Sequence, residues 1–143
     1  MKLKSEILDK DDLIQEDLFL RGVKAFNERD FFEAHELWEE LWSEYNLSDR
    51  IFVQGMIQAA VGFYHLFTDN FKGAKSLIQK SLNKLHNGSE TIQWSKIHRN
   101  IDVEAFVKRL NICLEKLMVI SDCSEFNLEL VPSIVFTSKS NDG

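Results

Sequence analysis

The sequence predicts an all-α protein, a compact bundle of about five helices, on three observations. Apolar residues recur at helical spacing through most of the 143 residues, with little of the alternation that marks strands. Proline occurs once, at Pro132, so nothing interrupts a helix before the last few residues. The stretch 50–67, RIFVQGMIQAAVGFYHLF, is apolar on nearly every side, as only a core helix of a bundle would be.

The first helix is expected from about Leu13 to Glu28, with Leu18, Gly22, Val23, Ala25 and Phe26 facing inward and a short turn at Arg29-Asp30. The second runs from about Phe31 to Tyr45. Ala34, Leu37, Trp38, Leu41, Trp42 and Tyr45 follow at i, i+3, i+4, i+7, i+8 and i+11, a clean amphipathic stripe. Ser48 or Asp49 then caps the central helix, which ends near Thr68-Asp69-Asn70. Along one seam it carries Gly55, Ala59 and Gly62, small residues that let a neighbouring backbone approach at some cost in helix propensity.

The fourth helix is expected over Phe71–His86, capped by Asn70 and stopped by Asn87-Gly88. Residues 89–100 read as a single turn of helix. Asp102 caps a fifth helix to about Met118, with Val103, Phe106, Val107, Leu110, Leu114 and Leu117 inward. From Ser121 the periodicity breaks. The organisation is therefore a single helical domain over 1–120, an extended segment over 121–136 packed on the bundle, and a disordered tail over 137–143. A repeat at a spacing of forty aligns Asp30-Phe31-x-x-Ala34-x-x-Leu37-Trp38 with Asn70-Phe71-x-x-Ala74-x-x-Leu77-Ile78. Each copy follows another helix, giving two hairpins that resemble tetratricopeptide units. Shared positions are packing residues, whereas His35, Glu36 and Glu39 of the first copy become Lys75, Ser76 and Gln79 in the second.

Composition excludes several function classes. A formal charge of -6 without a basic patch argues against nucleic acid. Residues 51–67 are short for a membrane span, and Gln54, Gln58 and His65 would be costly in lipid. The N-terminus lacks the apolar core of a signal peptide. Cys113 and Cys123 have no CxxC spacing and read as free thiols in a reducing cytoplasm, with a disulfide left open.

Candidate chemistry gathers on the second and third helices. Arg50, Gln54, Gln58 and His65 fall within about one quarter of the central helix circumference, a polar line expected to be buried and to need partners. The motif HELWE, His35 to Glu39, offers them. His35 and Glu39 are four apart on one face, as paired metal ligands often are, and His65 would face them from the central helix. His35, His65 and one of Glu36 or Glu39 have the donor types for zinc, manganese or iron, and an open coordination position would activate water. The alternative is a self-satisfied network of the same residues that fixes helix register without catalysis. HELWE is not the zincin HExxH, since Glu39 stands where its second histidine would be. Tyr64 could offer its hydroxyl to a ligand. Trp38 and Trp42 read as core, His86 and His98 as unremarkable residues beside the Asn87-Gly88 turn, and Cys113 as inert.

FNERDFFEAHELWEELW followed by RIFVQGMIQAAVGFYHLFTDNFKGAKSLIQKSL resembles the bacterial and plastid family known as domain of unknown function 309, over roughly residues 19–85. The matching words are FFEAHE, the tryptophan of the following turn, QGMIQ and the later YH. The resemblance implies a small helical bundle with no established activity, sometimes labelled a predicted metal-dependent hydrolase. It places the family's polar positions on His35, Glu36, Glu39, Arg50, Gln54, Gln58 and His65. Trp42 stands where the family usually has tryptophan, and Trp38 replaces a more usual aliphatic residue.

Three readings follow. One is a module binding a small ligand or partner peptide, through Arg50, Gln54, Gln58 and Tyr64. The second is a metal-dependent hydrolase, with His35, His65 and Glu39 as ligands and Glu36 as general base. The third is a structural protein that forms a homodimer through its acidic face and C-terminal apolar segment.

Overall fold

The computed structural model describes residues 2–85 and 96–137, with side chains from Lys10 onward. Five helices follow in order: α1 Lys2–Asn27, α2 Phe31–Glu44, α3 Arg50–Phe67, α4 Phe71–Leu85 and α5 Val103–Val119. Each packs against its neighbours in sequence, and the α3–α4 pair is the most extensive. The all-α expectation holds, with a two-stranded hairpin as the one addition among the described residues. α1 begins well before Leu13, because Lys, Glu and Leu sustain a helix by propensity even without an apolar stripe.

The core is built on aromatic rings. Phe26 is fully buried and meets Phe31, Phe63 and Phe106 edge-on at 5.0, 6.0 and 5.7 Å between ring centroids. Trp38, also fully buried, stacks against Phe19 and Phe26 and donates its indole N–H to the Phe19 carbonyl at 3.1 Å. That hydrogen bond makes a buried tryptophan tolerable, since its N–H finds a partner within the core.

The forty-residue repeat is visible in the backbone as well as in the sequence. Arg29 and Asp69 take the left-handed conformation at φ 69° and 66°. One residue later, the Asp30 amide donates to Ala25 O and the Asn70 amide to His65 O, both at 2.8 Å. Asp30 then caps α2 by accepting from the Glu33 amide, and Asn70 caps α4 by accepting from the Gly73 amide. The helix crossings also correspond. A Cβ at Gly22 would overlap the Trp38 indole, while one at Gly62 would lie 2.8 Å from Ile78 Cδ1 and 3.2 Å from its backbone nitrogen. Gly55 meets Leu85 in the same way, so the helix that approaches the small-residue seam of α3 is α4. Buried Ser81 donates to the Gly55 carbonyl at 2.7 Å across this contact.

Two local expectations are corrected. In the described part of 89–100, β1 Ile97–His98 pairs antiparallel with β2 Ile101–Asp102 in place of a helical turn. Arg99 and Asn100 at the tip both have positive φ, the conformation of a tight hairpin turn. Residues 86–95, including His86 and the Asn87-Gly88 stop, lie outside the described residues. The C-terminal segment is not extended throughout, as Cys123–Glu125 and Leu128–Leu130 form 3-10 turns. Beyond them the chain is strapped to the α1–α2 turn. Arg29 donates to the carbonyls of Val131 and Pro132, and Asn27 exchanges two hydrogen bonds with the Ile134 backbone. The expected tail from 137 onward lies, apart from Thr137, outside the described residues. Both cysteines are free and buried, and burial pushes the Cys113 thiol up to about 12.

Candidate functional site

The polar line of α3 does not enter the core. Arg50, Gln54, Gln58 and His65 are half-buried, because they lie along the edge where α3 meets α2. The fully buried faces of α3 carry instead Phe52, Val53, Met56, Ala59, Ala60 and Phe63. Two clefts open along this α2–α3 groove.

The first cleft, of about 170 Å³, is lined by Phe31, Phe32, His35, Val61, Tyr64 and His65. The structure thus brings His35 and His65 to one cavity, with Tyr64 beside them. Phe32 is 53 % exposed, and its ring lies 5.8 Å from Tyr64 and 6.0 Å from His35. Leaving a phenylalanine and a tyrosine this accessible costs hydrophobic burial that the bundle does not recover. The His35 ring stands between two carboxylates, with Nδ1 3.6 Å from Glu36 and Nε2 3.9 Å from Glu39. Both carboxylates are about half exposed, so α2 is not covered on its second side.

His65 is held from behind. Its Nδ1 lies 3.3 Å from the Asn70 side-chain nitrogen. Because Asn70 Oδ1 is already engaged by the Gly73 amide, the Asn70 NH₂ faces the ring and donates. Nδ1 therefore carries the lone pair, and in the neutral ring Nε2 carries the proton. Gly73 leaves room for this pair, since a Cβ there would lie 2.8 Å from His65 Cδ2 and 2.7 Å from Asn70 Nδ2 and would displace one of them.

The second cleft, of about 180 Å³, is lined by Glu39, Trp42, Gln54, Ile57 and Gln58. Gln58 Oε1 is buried and has no hydrogen-bond partner among the described residues. A buried acceptor left open costs roughly 1–3 kcal/mol, so this atom does not belong to a self-satisfied network. Arg50 is the exception among the expected ligand-binding residues. Its guanidinium lies 4.0 Å from the Trp42 ring centre and donates to the Trp42 and Tyr45 carbonyls. It therefore closes the C-terminus of α2, where a cation complements the helix dipole. Trp42 returns a hydrogen bond from its indole N–H to the Arg50 carbonyl at 3.1 Å.

Among the described residues no three His, Cys, Asp or Glu side chains are grouped so as to hold a metal ion. His35 and Glu39 supply two donors, and the nitrogen of His65 that carries the lone pair is engaged by Asn70. The donor set in this arrangement does not fit a zinc, manganese or iron centre. Among the described residues no helix is long and apolar enough to cross a membrane.

Sequence reasoning passed over Phe32, Val61 and Ile57, which line the clefts. The available signal was Phe32 itself, an aromatic residue one position off the apolar stripe. It also passed over the cluster at Asp49. This residue occupies the N-cap position of α3, but its carboxylate makes no cap hydrogen bond. It accepts instead from Arg99 Nε at 2.6 Å and Nη2 at 3.0 Å and contacts His98 Nε2 at 2.8 Å. Burial alone would raise this carboxyl. The hydrogen bonds from His98 and Arg99, with the charge of Arg99, outweigh burial and hold it well below the usual carboxylate range. His98 is thus a structural anchor of the hairpin, and Arg99 covers the Phe19 ring as well.

Residues 19–77 match the family model described as Domain of unknown function (DUF309). The chain is also similar to "Uncharacterized protein YpuF" of Bacillus subtilis (strain 168), with 43% identity over 58 residues. That match covers 40% of this chain and 33% of the relative, so the chain spans about a third of the length of the curated relative it matches. The matched residues contain both clefts, α2 and α3 in full, and the Asn70–His65 contact.

Proposed function

Taking residues 19–77 as a DUF309 domain, we propose that this protein is a binding module whose α2–α3 groove receives an apolar group of its ligand. The observation that carries this reading is the first cleft, where exposed Phe32 and Tyr64 flank a cavity of about 170 Å³. A cavity of about 150 Å³ accepts benzene, so this volume suits one aromatic ring or a branched aliphatic side chain. His65, positioned by Asn70 against the start of α4, forms a fixed wall of the cleft. Pockets of this kind commonly combine apolar walls with a few placed polar groups.

The test is a titration with N-acetylphenylalanine amide, followed by amide chemical shifts. The expected shifts are confined to residues around 31–35 and 61–65. Val61→Phe, which fills the cleft, abolishes them while the fold is retained. Shifts spread evenly over the surface, or unchanged in Val61→Phe, would refute the assignment.

A further inference from the structure

We infer that the groove docks an extended peptide segment of a partner protein, which places an apolar side chain in the first cleft and a lysine or arginine in the second. This rests on the binding-module reading and names its partner. The second cleft offers acceptors, the Glu39 carboxylate and the amide oxygens of Gln54 and Gln58, and Gln58 Oε1 has no donor among the described residues. A carboxylate only accepts, whereas ammonium and guanidinium groups only donate, so the cleft and a basic side chain are complementary.

The charge around the groove has the matching sign. Between Arg29 and Lys72 the one Lys or Arg is Arg50, while α2 alone carries Glu33, Glu36, Glu39, Glu40 and Glu44. Arg50 is committed to the α2 carbonyls and the Trp42 ring, and it does not line either cleft. The acidic wall therefore awaits a cation from outside.

Spacing selects the peptide. Lining residues of the two clefts are seven apart on each helix, His35 to Trp42 on α2 and Val61 to Gln54 on α3, or about 10 Å at 1.5 Å per residue. In a polyproline II segment, residues i and i+3 lie on the same side and about 9.3 Å apart. In a β-strand the same two residues would face opposite ways. A packed helix would want a continuous apolar groove, and here the second half is polar.

The experiment compares Ac-Phe-Pro-Pro-Lys-NH₂ with its norleucine and glutamate counterparts by calorimetry, on the full chain and on Glu39→Gln. Glu39 is half exposed, so folding should survive the change. The lysine peptide should bind about 5-fold tighter than the norleucine peptide, and Glu39→Gln should bring that ratio close to one. Shortening the spacer to a single proline should remove the preference. Equal binding of the lysine and norleucine peptides, or a ratio indifferent to Glu39→Gln, would overturn this inference while leaving the aromatic cleft standing. Failure of every peptide and of N-acetylphenylalanine amide would overturn both. A concentration-dependent dimer that buries the Phe32–His65 cleft would give the groove to a second copy of the chain and also overturn it.

Discussion

Replacing Gln58 by leucine separates a binding groove from a structural network. If the polar line existed to fix helix register, its members would satisfy one another and removing one would destabilise the fold. Gln58 Oε1 is instead buried with no partner among the described residues. Leaving such an acceptor open costs roughly 1–3 kcal/mol, which Gln58→Leu should recover. Branching at Cγ of leucine offsets part of this through imperfect fit, on the order of 1 kcal/mol. The net expectation is a stabilisation of about 1 kcal/mol, near 3 °C in melting temperature for a chain of this length. Urea and thermal unfolding would measure it, with Gln79→Leu as control. Gln79 is exposed on α4 and donates to the exposed Asn83 side chain, so its replacement should change stability by less than about 0.5 kcal/mol. The same Gln58→Leu protein should bind the lysine peptide more weakly. A loss of 1 kcal/mol or more in Gln58→Leu would mean that Oε1 has a partner in solution, and the groove account of this residue would be wrong.

Gly22→Ala should destabilise the bundle by about 2–4 kcal/mol despite better helix propensity. The added Cβ would sit 2.6 Å from Trp38 Cε2, and that ring is pinned between Phe19 and Phe26. A denaturation midpoint at or above wild type would show that Trp38 can move. Asp49 should make stability depend on acid. Its carboxyl is lowered on folding, so its contribution is complete above the unfolded value of about 3.9 and is lost as pH falls from there toward the folded value. Asp49→Asn should cost roughly 2–3 kcal/mol at pH 7, since Arg99 and His98 keep some solvent contact. Its unfolding free energy should also fall less steeply than wild type between pH 5 and 3, and equal slopes would remove Asp49 from the acid response.

Helix boundaries from α2 through α5 were legible in the sequence because each rests on information within a few residues. The stripe of α2, the caps Asn70 and Asp102, and the small-residue seam of α3 are local patterns with one physical solution. The forty-residue repeat was legible for the same reason, and its turns carry matching hydrogen bonds. The line Arg50-Gln54-Gln58-His65 was visible too, as a face of a helix. Which way that face points was not, because periodicity gives the relative angles of side chains and says nothing of the neighbour they meet. Tertiary packing put the line at the α2–α3 edge, half-buried, and divided it. Arg50 went to the carbonyl end of α2, Gln54 and Gln58 to one cleft, and His65 to another. Asp49 shows the same limit most sharply. Locally it is an N-cap, yet contacts fifty residues away outbid the local amide because a bidentate guanidinium is a stronger partner for a buried carboxylate. Sequence by itself determined the helices and the residues able to do chemistry. Their assembly into clefts was decided by how α2 and α3 meet, just as Gly22, Gly55 and Gly62 act only where α2 or α4 arrives to use the space they leave.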